Sequence, residues 1–236
     1  MTGFMSQTLP TYQQLAARWK SLRSTHDLAL REVACVGAPR TLLCADLGES
    51  TKPAIHLSAG VHGDEPAGVL ALLELVEGRM LDERFAYRIW PCTNPTGFDA
   101  RARASVDGVD VNRTFGRGGS SPEAKAIVMA NRDRKFALAI DLHEDDEARA
   151  FYCYEYGERE LGKAIAASCL RPDPVAEAES IGGLSLSLLL RRGAASHVLT
   201  FESPASLELR ERVAMHVAAV IDAVRLESQA SQGFVK

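Results

Sequence analysis

The sequence predicts a single α/β domain in which a mixed β-sheet lies between helices on both faces. From residue 54 to residue 225, short apolar runs alternate with segments of helical periodicity, the pattern of β-α-β units and their parallel strands. Ahead of this region, residues 28–36 and 41–47 are strand-like runs separated by Gly-Ala-Pro, which indicates an antiparallel hairpin. The 236 residues, 46% apolar and 25% charged, are typical of one folded domain of this class.

Three regions make up this domain, which we expect to span residues 1–236. Residues 1–25 predict an N-terminal helical extension, because apolar side chains recur there at spacings of four and three. Residues 26–50 contain the hairpin, and residues 54–225 form the core. Within the core we expect strands at residues 54–59, 85–92, 136–142, 148–156, 184–190 and 197–201, a turn at 94–97, a long loop at 99–120, and helices beginning at 66 and 122, over 161–170 and through 213–224.

Composition excludes several classes of protein. The net charge is −4, from 27 Lys and Arg against 31 Asp and Glu, and no long basic stretch is present, so no nucleic-acid partner is expected. No segment has the ~18 apolar residues of a membrane span, and the N-terminus lacks the apolar core of a signal peptide. The five scattered cysteines contain no C-x-x-C pair and indicate free thiols. We therefore expect a cytoplasmic protein with no membrane partner; the sequence leaves the oligomeric state open.

Residues with metal-binding side chains follow two of the predicted strands. His62 and Glu65 follow the strand at 54–59, and His143 follows the strand at 136–142. In open α/β sheets, ligands bind beyond the carboxyl ends of strands, and catalytic zinc has three protein ligands and one water. The sequence therefore predicts one zinc ion per chain. An H-x-x-E pair alone is a weak signal. The alternative for His143 is a capping histidine, or one in a salt bridge with the acidic residues that follow it.

A further carboxylate, Glu202, ends the predicted strand at 197–201. A carboxylate at this position is costly unless it is solvated, paired or functional. Partial burial would raise its pKa and suit it to act as the general base for a metal-bound water. The alternative is a capping carboxylate for the last helix. The four other histidines are interpreted as structural, with one of them facing outward from the last helix: His26, His56, His197 and His216.

The loop before the second helix of the core is rich in arginine. Arg103 and Arg113 lie in it, together with Asp110 and Asn112. Beside a metal, one arginine can stabilise an oxyanion and another can bind a substrate carboxylate through two parallel hydrogen bonds. A solvated, charged loop is the alternative.

Five short motifs occur in a fixed order along the chain: H-G-D-E at 62–65, N-P-T-G at 94–97, R-A-S-V-D-G-V-D-V-N-R at 103–113, D-L-H at 141–143 and T-F-E at 200–202. Together they resemble the zinc carboxypeptidase family of the carboxypeptidase A type. Within that family the chain is similar to small bacterial murein-peptide amidases and to the succinylglutamate desuccinylase/aspartoacylase branch. The resemblance covers roughly residues 54–225 and implies a zinc carboxypeptidase-like fold.

The resemblance also implies a role for each matching residue. It makes His62, Glu65 and His143 the zinc ligands and Glu202 the general base and acid. In the loop, it makes Arg103 the oxyanion-stabilising arginine. Asn112 and Arg113 correspond to the clamp for a substrate carboxylate, and Asp110 to the carboxylate that orients a histidine ligand, His62 in this chain. The pattern departs from the family at Thr96, where aspartate is usual, and no tyrosine lies between residues 180 and 190, where the family's digestive members carry one that caps the substrate.

These roles imply a zinc-dependent metallocarboxypeptidase or peptide amidase, a hydrolase that cleaves an amide bond next to a free carboxylate. The substrate would be a peptide or small molecule with such a carboxylate. One alternative is a deacylase of N-acyl amino acids with the same machinery. The other alternative is a non-catalytic binding module. The complete set of predicted ligands, base and arginines argues against it.

Overall fold

A computed structural model of the chain describes residues 9–116, 119–156, 161, 165, 176–177, 185–187, 190 and 194–233. Its strands are β1 (Leu28–Val33), β2 (Leu42–Leu47), β3 (Ala54–Ala59), β4 (Ala86–Trp90), β5 (Leu138–Asp145), β6 (Tyr152–Tyr156), β7 (Ala176–Glu177) and β8 (Val198–Pro204). Its described helices are α1 (Tyr12–Leu22), α2 (Pro66–Glu77), α3 (Pro95–Ala100), α4 (Pro122–Asn131) and α5 (Leu209–Gly233), with a short 3-10 helix at Val111–Arg113.

The strands form one eight-stranded sheet in the order β1-β2-β4-β3-β5-β8-β6-β7. The central strands β4, β3, β5 and β8 are mutually parallel, whereas β1, β2 and β6 join the sheet by antiparallel pairing. The chain places β4 on one side of β3 and then returns to place β5 on the other. This reversal opens a crevice beyond the carboxyl ends of β3 and β5, where ligands bind in such sheets.

Apolar side chains cover both faces of the sheet, because successive residues of a strand point to opposite faces. On one face, Leu57 of β3, Ile140 of β5 and Phe201 of β8 pack with α1, α2 and α5. On the other, Ala139 and Val198 pack with apolar residues of α4. The predicted fold class, an α/β domain with a mixed sheet and helices on both faces, is confirmed.

Local structure differs from the sequence prediction in residues 94–100, 184–190 and 142–145. The predicted turn at 94–97 is instead the start of α3, where the side chain of Asn94 caps the helix by accepting a hydrogen bond from the N–H of Gly97. The prediction of a strand at 184–190 is wrong for the residues that the structure describes there, because 186–187 and 190 are helical. The strand predicted to end at 142 continues as β5 to Asp145. The helix expected at 161–170 lies largely outside the described residues.

In the described part of the chain, we find no helix that is both long enough and apolar enough to cross a membrane.

Candidate metal centre and active site

A tight loop between β3 and α2 carries the first two predicted ligands, His62 and Glu65. Gly60 begins this loop with φ +66°, a left-handed conformation that favours glycine. Gly63 lies against the backbone of Gly97 in α3, so closely that a Cβ at position 63 would come within 1.9 Å of the Gly97 carbonyl carbon. The glycines therefore let the loop turn sharply and dock against α3, which directs both ligand side chains into the crevice.

His62, Glu65 and His143 meet at this point and are all buried. The Glu65 carboxylate lies between the two rings, with Oε1 2.5 Å from His62 Nδ1 and Oε2 3.0 Å from His143 Nδ1. Each residue offers one ligand atom, and these atoms lie within 4.8 Å of one another. Among the described residues, this is the one group of three or more histidine, cysteine or acidic side chains with such geometry.

The acidities of these groups fit a site for a cation. Burial alone would raise the pKa of Glu65, but His143 and His62 outweigh it and lower that pKa to about 2. Burial would lower the pKa of His143, yet Asp141 and Glu65 raise it well above its ordinary value. The pocket thus favours positive charge between its carboxylates. Two imidazoles and one carboxylate are the donor set of many catalytic zinc sites, with the fourth position left for water.

Each histidine also contacts a second carboxylate on the side away from Glu65. His143 Nε2 lies 3.1 Å from Asp141 Oδ2, and Asp141 in turn accepts a 2.7 Å hydrogen bond from Ser58. His62 Nε2 lies 3.5 Å from Asp110 Oδ1, which places Asp110 beside the histidine that the resemblance assigned to it. Such carboxylates fix the ring orientation of metal-binding histidines.

Sequence reasoning missed Asp141 as one of these carboxylates. The available signal was its position two residues before His143, on the same face of a strand.

Glu202 lies on β8 as the register partner of His143 on β5. Burial raises the pKa of Glu202 to about 8; His143 opposes this shift, while Glu65 and Asp145 add to it. A carboxyl group with a pKa near neutrality can both accept and donate a proton in one catalytic cycle. β8 continues past Glu202 to Pro204, so this residue does not end the strand as predicted.

The arginine-rich loop lies along the rim of the site. Arg103 is exposed, with Nε 3.2 Å from Asp110 Oδ2 and Nη1 3.8 Å from Glu65 Oε1. Arg113 is exposed and faces the same cleft. Asn112 is buried, and its Oδ1 accepts a hydrogen bond from the N–H of Leu186 over 3.2 Å. The structure therefore brings the predicted site residues together: all of them except Asp110 line one cleft, and Asp110 lies beside His62.

The cleft has a volume of about 200 Å³. Its lining includes three tyrosines that the sequence reasoning did not single out, Tyr152, Tyr154 and Tyr156, at alternate positions of β6. Tyr152 donates a 2.6 Å hydrogen bond to Asp145 Oδ2. The signal available in the sequence was the alternation of tyrosines in a predicted strand, which places them on one face. The complete described lining is His62, Glu65, Arg103, Asn112, Arg113, His143, Glu144, Asp145, Asp146, Tyr152, Tyr154, Tyr156, Ser185, Ser187, Thr200 and Glu202.

The remaining histidines take no part in the metal cluster. His56 is fully buried on β3, and His197 Nε2 lies 2.9 Å from Glu155 Oε1. The prediction that His216 faces outward from the last helix is wrong. His216 is fully buried and its ring packs edge-on against Phe151 at a centroid distance of 5.7 Å, because α5 turns this side toward the sheet.

Solved structures share this architecture. A metallo-carboxypeptidase from Burkholderia cenocepacia superposes with a TM-score of 0.76 at 17% identity, covering 92% of this chain and 69% of that one. A metallo-carboxypeptidase from Pseudomonas aeruginosa, in complex with (2-guanidinoethylmercapto)succinic acid, superposes with a TM-score of 0.70 at 14% identity, covering 91% and 68%. At these identities the likeness shows the fold.

A curated relative matches at the sequence level. Carboxypeptidase SOL1 of Arabidopsis thaliana is 33% identical over 112 residues. The match covers 39% of this chain and 23% of the relative, so the chain spans less than a quarter of that protein's length.

Together, the fold and the buried cluster define the class of the protein: an α/β domain of metallo-carboxypeptidase architecture with a candidate metal site. Residues 51–173, more than half of the chain, match the profile of the succinylglutamate desuccinylase/aspartoacylase catalytic domain. The chain belongs to this family. The family resemblance predicted from the ordered motifs is therefore confirmed.

Proposed function

We propose that the protein is a zinc-dependent hydrolase that cleaves an amide bond next to a free carboxylate, as a metallocarboxypeptidase or peptide amidase does. The observation that carries this proposal is the buried cluster of His62, Glu65 and His143, with Glu202 beside it on the neighbouring strand. The donor set suits a catalytic zinc, and the pKa of Glu202, raised to about 8, suits proton transfer near neutral pH.

The residues of the chain divide the work of such a reaction. His62, Glu65 and His143 would hold the zinc, and Asp141 and Asp110 would fix the two rings. When bound, zinc supplies a Lewis acid that polarises a carbonyl and lowers the pKa of a water molecule. Glu202 accepts the proton of the attacking water and passes it to the leaving amine.

Two arginines complete the proposed site. Arg103, at the rim beside Glu65, donates hydrogen bonds to the oxyanion that forms on the substrate carbonyl. Arg113 binds the free carboxylate of the substrate, and the side-chain amide of Asn112 lies in the same part of the cleft. A small dicarboxylic compound in the related Pseudomonas aeruginosa structure supports a carboxylate-bearing substrate.

A deacylase of N-acyl amino acids is the second candidate. The observation that favours it is the match of residues 51–173 to the succinylglutamate desuccinylase/aspartoacylase domain. The same ligands, base and arginines would serve, with the clamp on a different carboxylate of the substrate.

One activity panel separates the two candidates. Purified zinc-loaded protein is assayed on C-terminal peptides, murein peptides and N-acyl amino acids. We expect release of a terminal residue or murein-peptide amine at the highest kcat/KM; preferential release of an acyl group from N-acyl amino acids supports the second candidate. Absence of turnover on the whole panel, with zinc bound, contradicts both.

The arginines give a test of substrate recognition. A charge-assisted pair with a carboxylate contributes about 1.5–3 kcal/mol, so Arg113→Ala should lower kcat/KM about ten- to hundredfold on acids. Arg113→Lys should restore only part of this loss, because lysine lacks the planar fork.

The control is a substrate whose terminal carboxylate is amidated. On it, Arg113→Ala and the parent should be nearly equal, whereas Arg103→Ala should lose kcat on both substrates. Equal losses for Arg113→Ala on the acid and the amide would show that Arg113 does not bind the carboxylate.

A further inference from the structure

Glu144, a buried residue outside the ligand set, connects the two segments that carry the proposed ligands and also pairs with an arginine of α5. Glu144 follows His143 on β5, and its side chain points to the opposite face, toward α2. Glu144 Oε1 accepts a 2.6 Å hydrogen bond from the backbone N–H of Ala67, and Oε2 pairs with Arg212 of α5. The Glu144 side chain is 1% exposed and that of Arg212 14% exposed.

The hydrogen bond from Ala67 gives the N-terminus of α2 an acceptor that its own N-cap residue does not provide. The first N–H groups of a helix have no partner inside it, and the N-cap side chain usually accepts from one of them. The N-cap residue of α2 is Glu65, whose side chain makes no capping hydrogen bond and lies between the two histidines instead. Glu144 therefore supplies, from the neighbouring strand, the acceptor that Glu65 cannot supply.

Arg212 makes this arrangement possible. A buried carboxylate is costly unless it is paired and hydrogen-bonded, and Arg212 and the Ala67 N–H satisfy both oxygens of Glu144. α5 also packs along α2 and follows β8, the strand of Glu202. The pair therefore connects the start of α2, the end of β5 and the helix that follows the strand of the base.

We propose that Glu144 and Arg212 are positioning residues that set the separation of Glu65 and His143 for metal binding. The inference rests on the proposed function, because it concerns the same metal cluster. Glu144 is bonded in sequence to His143, and its acceptor contact lies two residues from Glu65. Loss of the pair would let the two ligand-bearing segments move relative to one another without removing any ligand.

The test measures the zinc dissociation constant of the full chain by competition with a chelator, together with the unfolding temperature of the metal-free protein. Carboxylates that support metal ligands typically contribute 10- to 100-fold in metal affinity, so we expect a loss of this size for Glu144→Ala. Glu144→Gln, which keeps an acceptor for Ala67, should lose less. Arg212→Lys should bind zinc more tightly than Arg212→Met, because it retains a cation for Glu144.

The matched control breaks another ion pair with a buried arginine. Arg88 of β4 pairs with Asp46 of β2 over 2.8 Å, and neither residue contacts the cluster in the described structure. Asp46→Asn should lower the unfolding temperature and leave the zinc dissociation constant unchanged. If Asp46→Asn weakens zinc binding as much as Glu144→Ala, the effect is one of general stability and the inference is wrong.

The remaining outcomes separate this inference from the proposed function. If the parent binds zinc, His143→Ala does not, and Glu144→Ala binds within twofold of the parent, only the positioning role is overturned. If the parent binds no zinc, the proposed function and the positioning role fail together. Should Glu144→Ala fail to fold, the comparison of Glu144→Gln with the parent and of Arg212→Lys with Arg212→Met decides the question.

Discussion

Two glutamates beside the same histidine, His143, have pKa values shifted in opposite directions. Burial raises the pKa of Glu202 to about 8, whereas His143 and His62 outweigh burial at Glu65 and lower its pKa to about 2. Groups whose surroundings separate their pKa values in this way are the usual partners of acid–base catalysis. The charged carboxylate is suited to hold a cation, and the one with the raised pKa to exchange a proton.

Replacing Glu202 by glutamine tests whether Glu202 exchanges the proton and takes no part in binding the metal. The amide is nearly the same size but cannot accept a proton, so Glu202→Gln should retain the fold and the zinc content while kcat falls by ~10²–10⁴. Steady-state kinetics on the best substrate of the panel, with elemental analysis of the same samples, measures both quantities. A kcat within a few-fold of the parent would assign the base to another carboxylate.

The loop between β3 and α2, which carries His62 and Glu65, packs directly against α3. Gly63 and Gly97 meet backbone to backbone, and the N–H of Gly63 donates a 3.0 Å hydrogen bond to the carbonyl of Ala102. The loop after β3 is therefore fixed by the element that follows β4. This contact relates the two motifs: Gly97 of the N-P-T-G motif provides the backbone surface against which Gly63 of the H-G-D-E motif packs.

Gly63→Ala should separate these elements. The added methyl would overlap the Gly97 backbone, so we expect a loss of unfolding free energy of about 1–3 kcal/mol together with weaker zinc binding. Gly108→Ala is the control: Gly108 also lies in the motif region, with φ +74° and no atom within 4 Å of an added Cβ. Gly108→Ala should lose about 1–2 kcal/mol of unfolding free energy, because alanine disfavours a left-handed backbone conformation. It should retain the parent's zinc affinity. Urea unfolding and chelator competition measure the two effects; equal zinc affinity in both variants would contradict the role of the contact.

The elements that sequence reasoning predicted well are those whose own periodicity specifies them. β3 and the start of α2 follow from an apolar run and a proline at the first helical position. Errors arose where tertiary contacts decide the local structure. The sequence predicts a turn at the start of α3, because the six residues of α3 are too few to show a helical period. The Asn94 cap and the docking against Gly63 stabilise the helix. The apolar residues around 186 resembled a strand, since a short apolar run does not distinguish a strand from a buried helix.

Across the whole molecule, the larger apolar cluster and the proposed site lie on different faces of the sheet. The larger apolar cluster lies on the face of α1, α2 and α5, while His143, Thr200 and Glu202 point to the opposite face at the carboxyl ends of the strands. Sequence order singles out the proposed metal ligands, because each follows an apolar run that predicts a strand, although β5 continues past His143 to Asp145. The tyrosines of β6 could not be recognised as neighbours of the site in this way, because their contacts depend on strand pairing and register.

The buried histidine of β3 predicts how stability depends on pH. Burial and Arg88 lower the pKa of His56 to about 4, against an opposing effect of Asp141, while the unfolded chain has a value near 6.5. Between these values the unfolded state binds a proton that the folded state excludes, so stability decreases as the pH falls. The contribution of His56 is about 1.4 kcal/mol per pH unit in this window.

His56→Phe removes this titration and keeps a ring against Phe136. Urea unfolding of metal-free protein at pH 6.5, 5.5 and 4.5 should therefore show a shallower decrease of unfolding free energy for the variant than for the parent. The same slope for both proteins would mean that His56 is not held neutral in the folded state.

The metal content of the purified chain tests the central claim most directly. Elemental analysis of the parent, expressed and purified without chelators, should give about one zinc per chain. His143→Ala should lose it, whereas His26→Ala, which changes a histidine outside the cluster, should retain it. A His143→Ala variant with the full metal content of the parent would contradict the assignment of His62, Glu65 and His143 as the metal centre.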